Sequence, residues 1–261
     1  MTEQEKKRIR QRFSRAAETY DAHAYVQKAL AVRLARELPT DLRPERILEV
    51  GCGTGNFTSM LAGRYPDAHI VGVDFAEAML RQARKKLGQS KNLSLVCAEG
   101  ESFLETCSTP FDLICSNSTM QWFDDRGKSF ANIARLLSGG GFFVGTLFGP
   151  RTFLELSQCL NQVMGRRVSL ASYNFAGRIE LQDILSPLFR QVSLREEDNV
   201  RRYGTLFDLL EQIRRTGTGG GLSLSGGLLT RGRLLALDDC LQKKFFGYPT
   251  TFHVFVLRCE K

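Results

Sequence analysis

Gly51-Cys52-Gly53-Thr54-Gly55, entered from the apolar run Ile47-Leu48-Glu49-Val50, is the stretch of this chain best suited to chemistry. Alternating glycines at a strand end let the backbone turn sharply and bring its amides close to a ligand. The spacing is G-x-G-x-G, not the G-x-G-x-x-G of dinucleotide dehydrogenases, and such turns also serve purely structural ends. Its neighbours give it meaning. Asp74, 19 positions after Gly55, stands where α/β nucleotide-binding folds place a carboxylate for ribose hydroxyls. A carboxylate there repels a 2′-phosphate, and Asp74 equally suits a cap for the next helix. Glu49 can meet a cationic group of the ligand. Glu99, or the backbone at Gly100, can accept from an adenine amino group, with Glu101 close by. Cys115-Ser116-Asn117-Ser118-Thr119-Met120-Gln121-Trp122-Phe123 adds a polar and aromatic wall.

These residues need a scaffold, and the hydrophobic pattern supplies one. Strand signals at Arg46–Gly51, His69–Asp74, Leu93–Cys97, Phe111–Cys115 and Phe142–Phe148 alternate with helical spacing at Asn56–Arg64, Glu77–Leu87 and Lys128–Leu137. The last of these helices is predicted to stop at Ser138-Gly139-Gly140-Gly141. Alternation of this kind implies a parallel sheet with helices on both faces, and such sheets bind ligands at the carboxyl ends of their strands. Every candidate above falls at such an end. Residues 1–40 read as a helical arm, with helical spacing from Ile9 to Tyr20 and from Tyr25 to Leu38. Residues 200–247 contain a helix-like segment, Leu206–Ile213, then the glycine-rich runs 217–221 and 225–227, as expected of a substrate lid. Thr251–Cys259 reads as a final strand.

Composition narrows the class. With 43% hydrophobic and 25% charged residues the 261-residue chain is ordinary globular protein, predicted as a single domain. No apolar run reaches the roughly 18 residues of a membrane span, and the N-terminus lacks the apolar core of a secretory signal. A cytoplasmic enzyme without a membrane partner is the expectation. The seven cysteines are scattered, without a C-x-x-C pair, and are expected to be reduced, with no disulfide and no metal. No nucleic-acid motif accompanies the net charge of +8, so an acidic partner that is not nucleic acid is expected. The pairs Arg201-Arg202 and Arg214-Arg215 are its candidate docking residues. His23, His69 and His253 are read as structural.

Residues 46–148 resemble the class I S-adenosylmethionine-dependent methyltransferases through Glu49–Gly55, Gly72-Val73-Asp74, Ala98–Glu101, Phe111–Asn117 and Leu137–Gly141. The resemblance implies a Rossmann-like seven-stranded, mostly parallel sheet with an antiparallel last strand, supplied by Thr251–Cys259. It also implies cofactor contacts from Glu49, Gly51, Gly53, Gly55, Asp74, Phe75, Glu99, Gly100, Glu101 and Asn117. The arm from Phe13 through Tyr20 to Gln27, the Gln121-Trp122 pair, Leu229–Arg231 and Tyr248–Phe255 are similar to the biotin-pathway malonyl-acyl-carrier-protein O-methyltransferases. That likeness implies methyl transfer from S-adenosylmethionine to the free carboxylate of malonyl-acyl carrier protein, leaving S-adenosylhomocysteine. A carboxylate is already ionised at pH 7, so no general base is required, and none of the Ser-His-Asp or Cys-His kind is present. Tyr20, Gln121 and Trp122 are expected to position the substrate, with Arg231 as an anion contact. Another small carboxylate or a quinone-type ring as acceptor, or an RNA-binding subunit without activity, stays open at this stage.

Overall fold

The computed structural model describes residues 2–168, 170–216 and 230–261. The expected glycine-rich lid runs at 217–227 therefore lie outside the described residues. The described chain falls into two compact units. The first comprises residues up to Leu147 with Arg178–Arg195 and Phe255–Lys261; the second comprises Phe148–Gly177 and Glu196–Val254.

The arm of the first unit is helical: α1 (Glu3–Ala16), the single turn α2 (Tyr20–His23) and α3 (Tyr25–Glu37). Thr2 and Glu5 form a capping box that satisfies the first amides of α1. The core then alternates β1 (Arg46–Val50), α4 (Asn56–Arg64), β2 (His69–Asp74), α5 (Glu77–Leu87), β3 (Leu93–Cys97), α6 (Gly100–Thr106), β4 (Phe111–Asn117), α7 (Arg126–Leu136) and β5 (Leu137–Phe148). There follow α8 (Leu154–Met164), α9 (Arg178–Leu185), β6 (Gln191–Tyr203), α10 (Leu206–Arg215), α11 (Arg231–Phe245) and β7 (Tyr248–Glu260).

The sheet has seven strands in the order β3-β2-β1-β4-β5-β7-β6. β1 pairs in parallel with β2 and β4, β2 with β3, and β4 with β5. The Lys261 amide donates to Gly141 and the Gly149 amide to His253, so β7 descends as β5 rises: the final strand is antiparallel. From β1 the chain steps outward to β2 and β3, then crosses back to β4 and β5. Right-handed crossovers put α4 and α5 on one face and α6 and α7 on the other. The β1/β4 boundary, where the order reverses, is the switch point at which such sheets open a crevice.

Ile47, Leu113, Cys115 and Val144 of the sheet pack under α3 and α4 with Ala31, Leu34, Phe57 and Leu61, all at most 2% exposed. Truncating one of these leucines to alanine costs about 2–5 kcal/mol. α7 ends at Leu136, as the glycine run predicts, but the glycines are not a loop: β5 starts at once at Leu137. Phe111 pairs with Leu137 and Leu113 with Phe142, so Ser138–Gly141 bulge out of the ladder.

In the second unit α8 packs against α11. Their facing sides bring Cys159 and Cys240 to a Cα separation of 5.8 Å, and the two form a disulfide across 81 residues. The expectation of seven reduced cysteines is corrected here for this pair. The other five are free. Spacing carried no sign of the bridge, because only the helix packing brings the two positions together. Among the described residues no helix is long and apolar enough to cross a membrane.

Candidate active site

The glycine turn owes its shape to backbone conformations closed to other residues. Gly51 and Gly53 have φ of +79° and +55°. A Cβ on Gly51 would lie 2.0 Å from the Thr119 hydroxyl, so glycine is required there twice over. Asp74 holds the turn from the neighbouring strand. Its Oδ2 accepts from the Gly53 amide at 3.0 Å and its Oδ1 from the Ala76 amide at 2.8 Å. It is an organiser of the turn rather than the cap of α5, whose N-cap is Ala76.

Around the turn opens a cleft of about 780 Å³, mouth included. Gly51, Gly53, Asp74, Phe75, Glu99, Gly100 and Asn117 line it, as do Tyr20 and Trp122. The helical arm expected from sequence closes it, through residues the sequence reading did not single out: Lys6, Ile9 and Phe13 on the inner face of α1, with Thr119 below. Phe13 stacks edge-on against Trp122 at 6.3 Å and lies 6.1 Å from the Phe75 ring. The stripe Ile9, Phe13, Ala16, Tyr20 carried the signal in its helical spacing.

A smaller adjoining cavity of about 360 Å³ shares Tyr20, Gly51, Gly53 and Asn117 and adds Glu49, Gln27 and Thr54. Glu49 is 1% exposed and accepts from the Thr58 hydroxyl at 2.6 Å. Gln27, 8% exposed, keeps its Oε1 without any hydrogen-bond partner. Asn117 fixes the backbone there by donating to the Gln27 carbonyl at 3.0 Å. A buried acceptor left bare costs about 1–3 kcal/mol, and a ligand that brings N–H donors into this cavity would satisfy it. Together the two cavities offer carboxylates for hydroxyls and for an ammonium group, and an apolar cover. These residues therefore fit an adenosyl amino acid.

Two ionic clusters fasten the arm over this space. Lys6 Nζ sits 2.7 Å from Glu101, 3.1 Å from Asp124 and 3.6 Å from Glu99. Burial works against its charge, but these carboxylates prevail and raise its pKa. Asp21 of α2 accepts from Thr54 of the turn and Asn56 at the start of α4, and pairs with Lys86 at 2.6 Å. Glu99 itself caps α6 through the Ser102 amide at 2.8 Å, and Glu101 accepts from the Asp125 amide at 2.9 Å. Glu101 thus serves the arm and the next loop rather than the cavity wall.

Gln121 is buried, its amide donating to the Ser118 carbonyl at 2.7 Å, and it lines neither cavity. Gly55 stands at the head of α4 and lines neither cavity. Arg231 opens α11 in the second unit, exposed. Arg201 and Arg202 are exposed neighbours on β6 and so point to opposite faces of the strand. Arg214 and Arg215 both pair with Glu211, at 3.3 and 3.0 Å. His253 is buried and bonded to Glu196 at 2.9 Å. No cluster of three metal-ligating side chains exists among the described residues.

The electrostatics of the site carry a pH prediction. Burial pushes Asp74 up to about 6, against the two backbone amides it accepts from. Burial likewise pushes Glu49 up to about 7, opposed by the Thr58 hydroxyl and assisted by the Asp74 charge. Both carboxyls hold protons more tightly folded than unfolded, where they titrate at 3.8 and 4.5. Their contribution is complete below those values and is lost as pH rises through about 6 and about 7. Thermal unfolding of the ligand-free protein from pH 4 to 8 is expected to show this falling component, and Glu49→Gln with Asp74→Asn to flatten it. An equal slope in the double variant contradicts the assignment.

The family described as "Methyltransferase domain" matches residues 47–141, the segment that carries the turn, Asp74 and the Asn117 wall. Solved structures share the fold. The YcgJ protein from Bacillus subtilis matches with a TM-score of 0.58 at 16% identity, covering 91% of this chain and 98% of that one. A phosphoethanolamine N-methyltransferase from Haemonchus contortus, solved with S-adenosylhomocysteine, matches with a TM-score of 0.54 at 20% identity, over 90% of this chain and 52% of that one. The matched segment is thus a methyltransferase-domain core set in a fold shared with these structures.

Relatives narrow this further. Malonyl-acyl-carrier-protein O-methyltransferase 1 of Ilyobacter polytropus is 34% identical, over 92% of this chain and 88% of the relative. The enzyme so named from Geobacter sulfurreducens is also 34% identical, over 96% and 97%. The chain belongs to the malonyl-acyl-carrier-protein O-methyltransferase family.

Proposed function

We propose that this enzyme esterifies the free carboxylate of malonyl-acyl carrier protein, giving the malonyl methyl ester that starts the pimeloyl chain of biotin in the cytoplasm. The observation that carries the reading is the end-to-end match, over 92% and 96% of the chain, to relatives named for this reaction. S-adenosylmethionine, held in the two joined cavities, supplies an electrophilic methyl group when bound. The chain's own work is to hold, align and exclude water. Asp74 takes the ribose hydroxyls on the lone pairs its two amide contacts leave free. The bare Gln27 Oε1 and Glu49 take the amino group. Gly100 and the Glu99 segment border the adenine. Tyr20 and Trp122 form the wall at which the acceptor carboxylate is aligned. Burial, then the charges of Asp74 and Asp21, raises the Tyr20 pKa, so its hydroxyl remains a donor. Alignment in a dry site yields roughly 7–11 kcal/mol in favourable cases, and Ile9 and Phe13 supply the dry cover.

The test is transfer of labelled methyl from S-adenosylmethionine to malonyl carrier protein, followed by mild base. Release of the label as methanol is the expected result; a base-stable label, or no transfer, rejects the reading. A residue-level expectation accompanies it. Gln27→Leu weakens S-adenosylhomocysteine binding by about tenfold, the value of one lost buried hydrogen bond. Binding of 5′-methylthioadenosine, which lacks the amino-acid portion, stays at the parental value. Calorimetry on both ligands checks it, and equal losses for the two would place Gln27 elsewhere.

A further inference from the structure

The net charge of this protein is concentrated in one place. α1 and α5 carry ten basic and three acidic residues, which is +7 of the chain's +8. The two helices pack on one another, so the rest of the molecule is nearly neutral and a single basic ridge remains.

Within that ridge the charges are not equally committed. Arg84 pairs with Glu77 and Lys86 with Asp21, and Lys6 turns inward to Glu101 and Asp124. Among the described residues, Lys7, Arg8, Arg10, Arg12 and Arg15 have no ion pair. Arg8, Arg12 and Arg15 follow the spacing i, i+4, i+7, which lines them along one outer flank of α1 while Ile9, Phe13 and Ala16 take the inner face. Arg12 is only partly exposed yet has no carboxylate beside it. Burial and the neighbouring Arg8 both push its guanidinium below the ordinary value. Like charges crowded on a helix without partners destabilise it, and an external anion relieves that crowding.

We propose that the Arg8–Arg12–Arg15 flank of α1 is the docking surface for an acidic acyl carrier protein, and that Arg201-Arg202 and Arg214-Arg215 are not. The proposal rests on the carrier reading above for the identity of the partner. Charge complementarity selects the site: the stripe is unpaired, whereas Arg214 and Arg215 share Glu211 and Arg201 and Arg202 face opposite ways. The inner face of the same helix closes the donor cleft through Lys6, Ile9 and Phe13. Carrier docking and closure of the cleft therefore act on one element, and a carrier bound on the outer flank steadies the cover.

Direct binding tests docking independently of turnover. Fluorescence anisotropy with labelled holo-acyl carrier protein compares the parent, Arg8→Glu/Arg15→Glu and Arg201→Glu/Arg202→Glu. Reversal on α1 is expected to weaken binding at least about 30-fold at low salt, converging with the parent at high salt, as for a steered charged encounter. Reversal on β6 is expected to change it less than threefold. The milder Arg8→Gln/Arg15→Gln should fall between, and unchanged S-adenosylhomocysteine affinity shows the fold is kept. Loss through β6 and not α1 overturns the docking proposal. So does tight binding of single-stranded RNA or phosphatidylglycerol vesicles through α1 without carrier binding. Methyl transfer to malonyl-pantetheine, which has neither protein nor phosphate, reads the function separately. Failure of transfer to malonyl-acyl carrier protein itself, with carrier docking intact, rejects the proposed reaction alone.

Discussion

Asp74→Asn is expected to weaken S-adenosylhomocysteine binding by roughly two to three and a half decades, with the sheet intact. Asp74 now accepts from two backbone amides, Gly53 at 3.0 Å and Ala76 at 2.8 Å, and keeps lone pairs for a ligand's hydroxyls. An asparagine has one acceptor oxygen. Its amide nitrogen must face either Gly53 or Ala76, donor against donor, and that buried amide goes unpaired for about 1–3 kcal/mol. The ligand also loses charge-assisted hydrogen bonds, each worth about 1.5–3 kcal/mol. Loss of the bonds to two ribose hydroxyls gives about 3–5 kcal/mol in binding, the unpaired amide costing stability in free and bound protein alike, and 1.4 kcal/mol is tenfold in affinity. Raised to about 6 by burial, Asp74 is ionised at pH 7.5, so the loss should shrink as pH falls to 5.5. Calorimetric titration at the two pH values checks both statements. Affinity within fivefold of the parent at pH 7.5 would remove Asp74 from the ligand site.

The parts legible from sequence were those whose cause is local. Helix and strand limits for α4, β2, α5 and β3 follow the hydrophobic periods residue for residue. The glycine turn declared itself because positive φ leaves little choice of residue, and Asp74 because it ends the next strand. What was not legible depends on contacts made far along the chain. Lys6 reaches Glu101 across 95 residues, and nothing in the spacing of either reports it. Gln27 looks like any polar residue of an amphipathic helix until α3 is docked and its oxygen is found without a partner. The family resemblance pairs Gln121 with Trp122, yet the short 3-10 turn at Met120–Trp122 sends one side chain inward and the other to the cleft. Glu211 is a different case. It stands three and four residues before Arg214 and Arg215, and that helical spacing already announces the pairing.

Gly51→Ala is the second large effect, and the structure says how it divides. Alanine at φ +79° costs about 1–2 kcal/mol in the left-handed region. Its Cβ would also stand 2.0 Å from Thr119 Oγ1, 2.4 Å from its Cγ2 and 2.6 Å from its Cβ, an overlap no rotamer change removes. Overpacking of this kind costs about 1–3 kcal/mol. Thr119 cannot simply retreat, because its hydroxyl bridges the Gly51 and Asn117 carbonyls at 3.4 and 3.3 Å. The turn is expected to give way instead, drawing the Gly53 amide off Asp74 and opening both cavities at once. The variant should melt several degrees lower and bind S-adenosylhomocysteine at least about 100-fold more weakly, in line with a loss of some 3 kcal/mol. Thr119→Gly added to Gly51→Ala removes the clash but not the φ strain, so it should restore part of the binding and never all of it. Full rescue would show that sterics alone fix the glycine. A double variant no better than Gly51→Ala would show that the left-handed backbone decides, and that Thr119 only follows it.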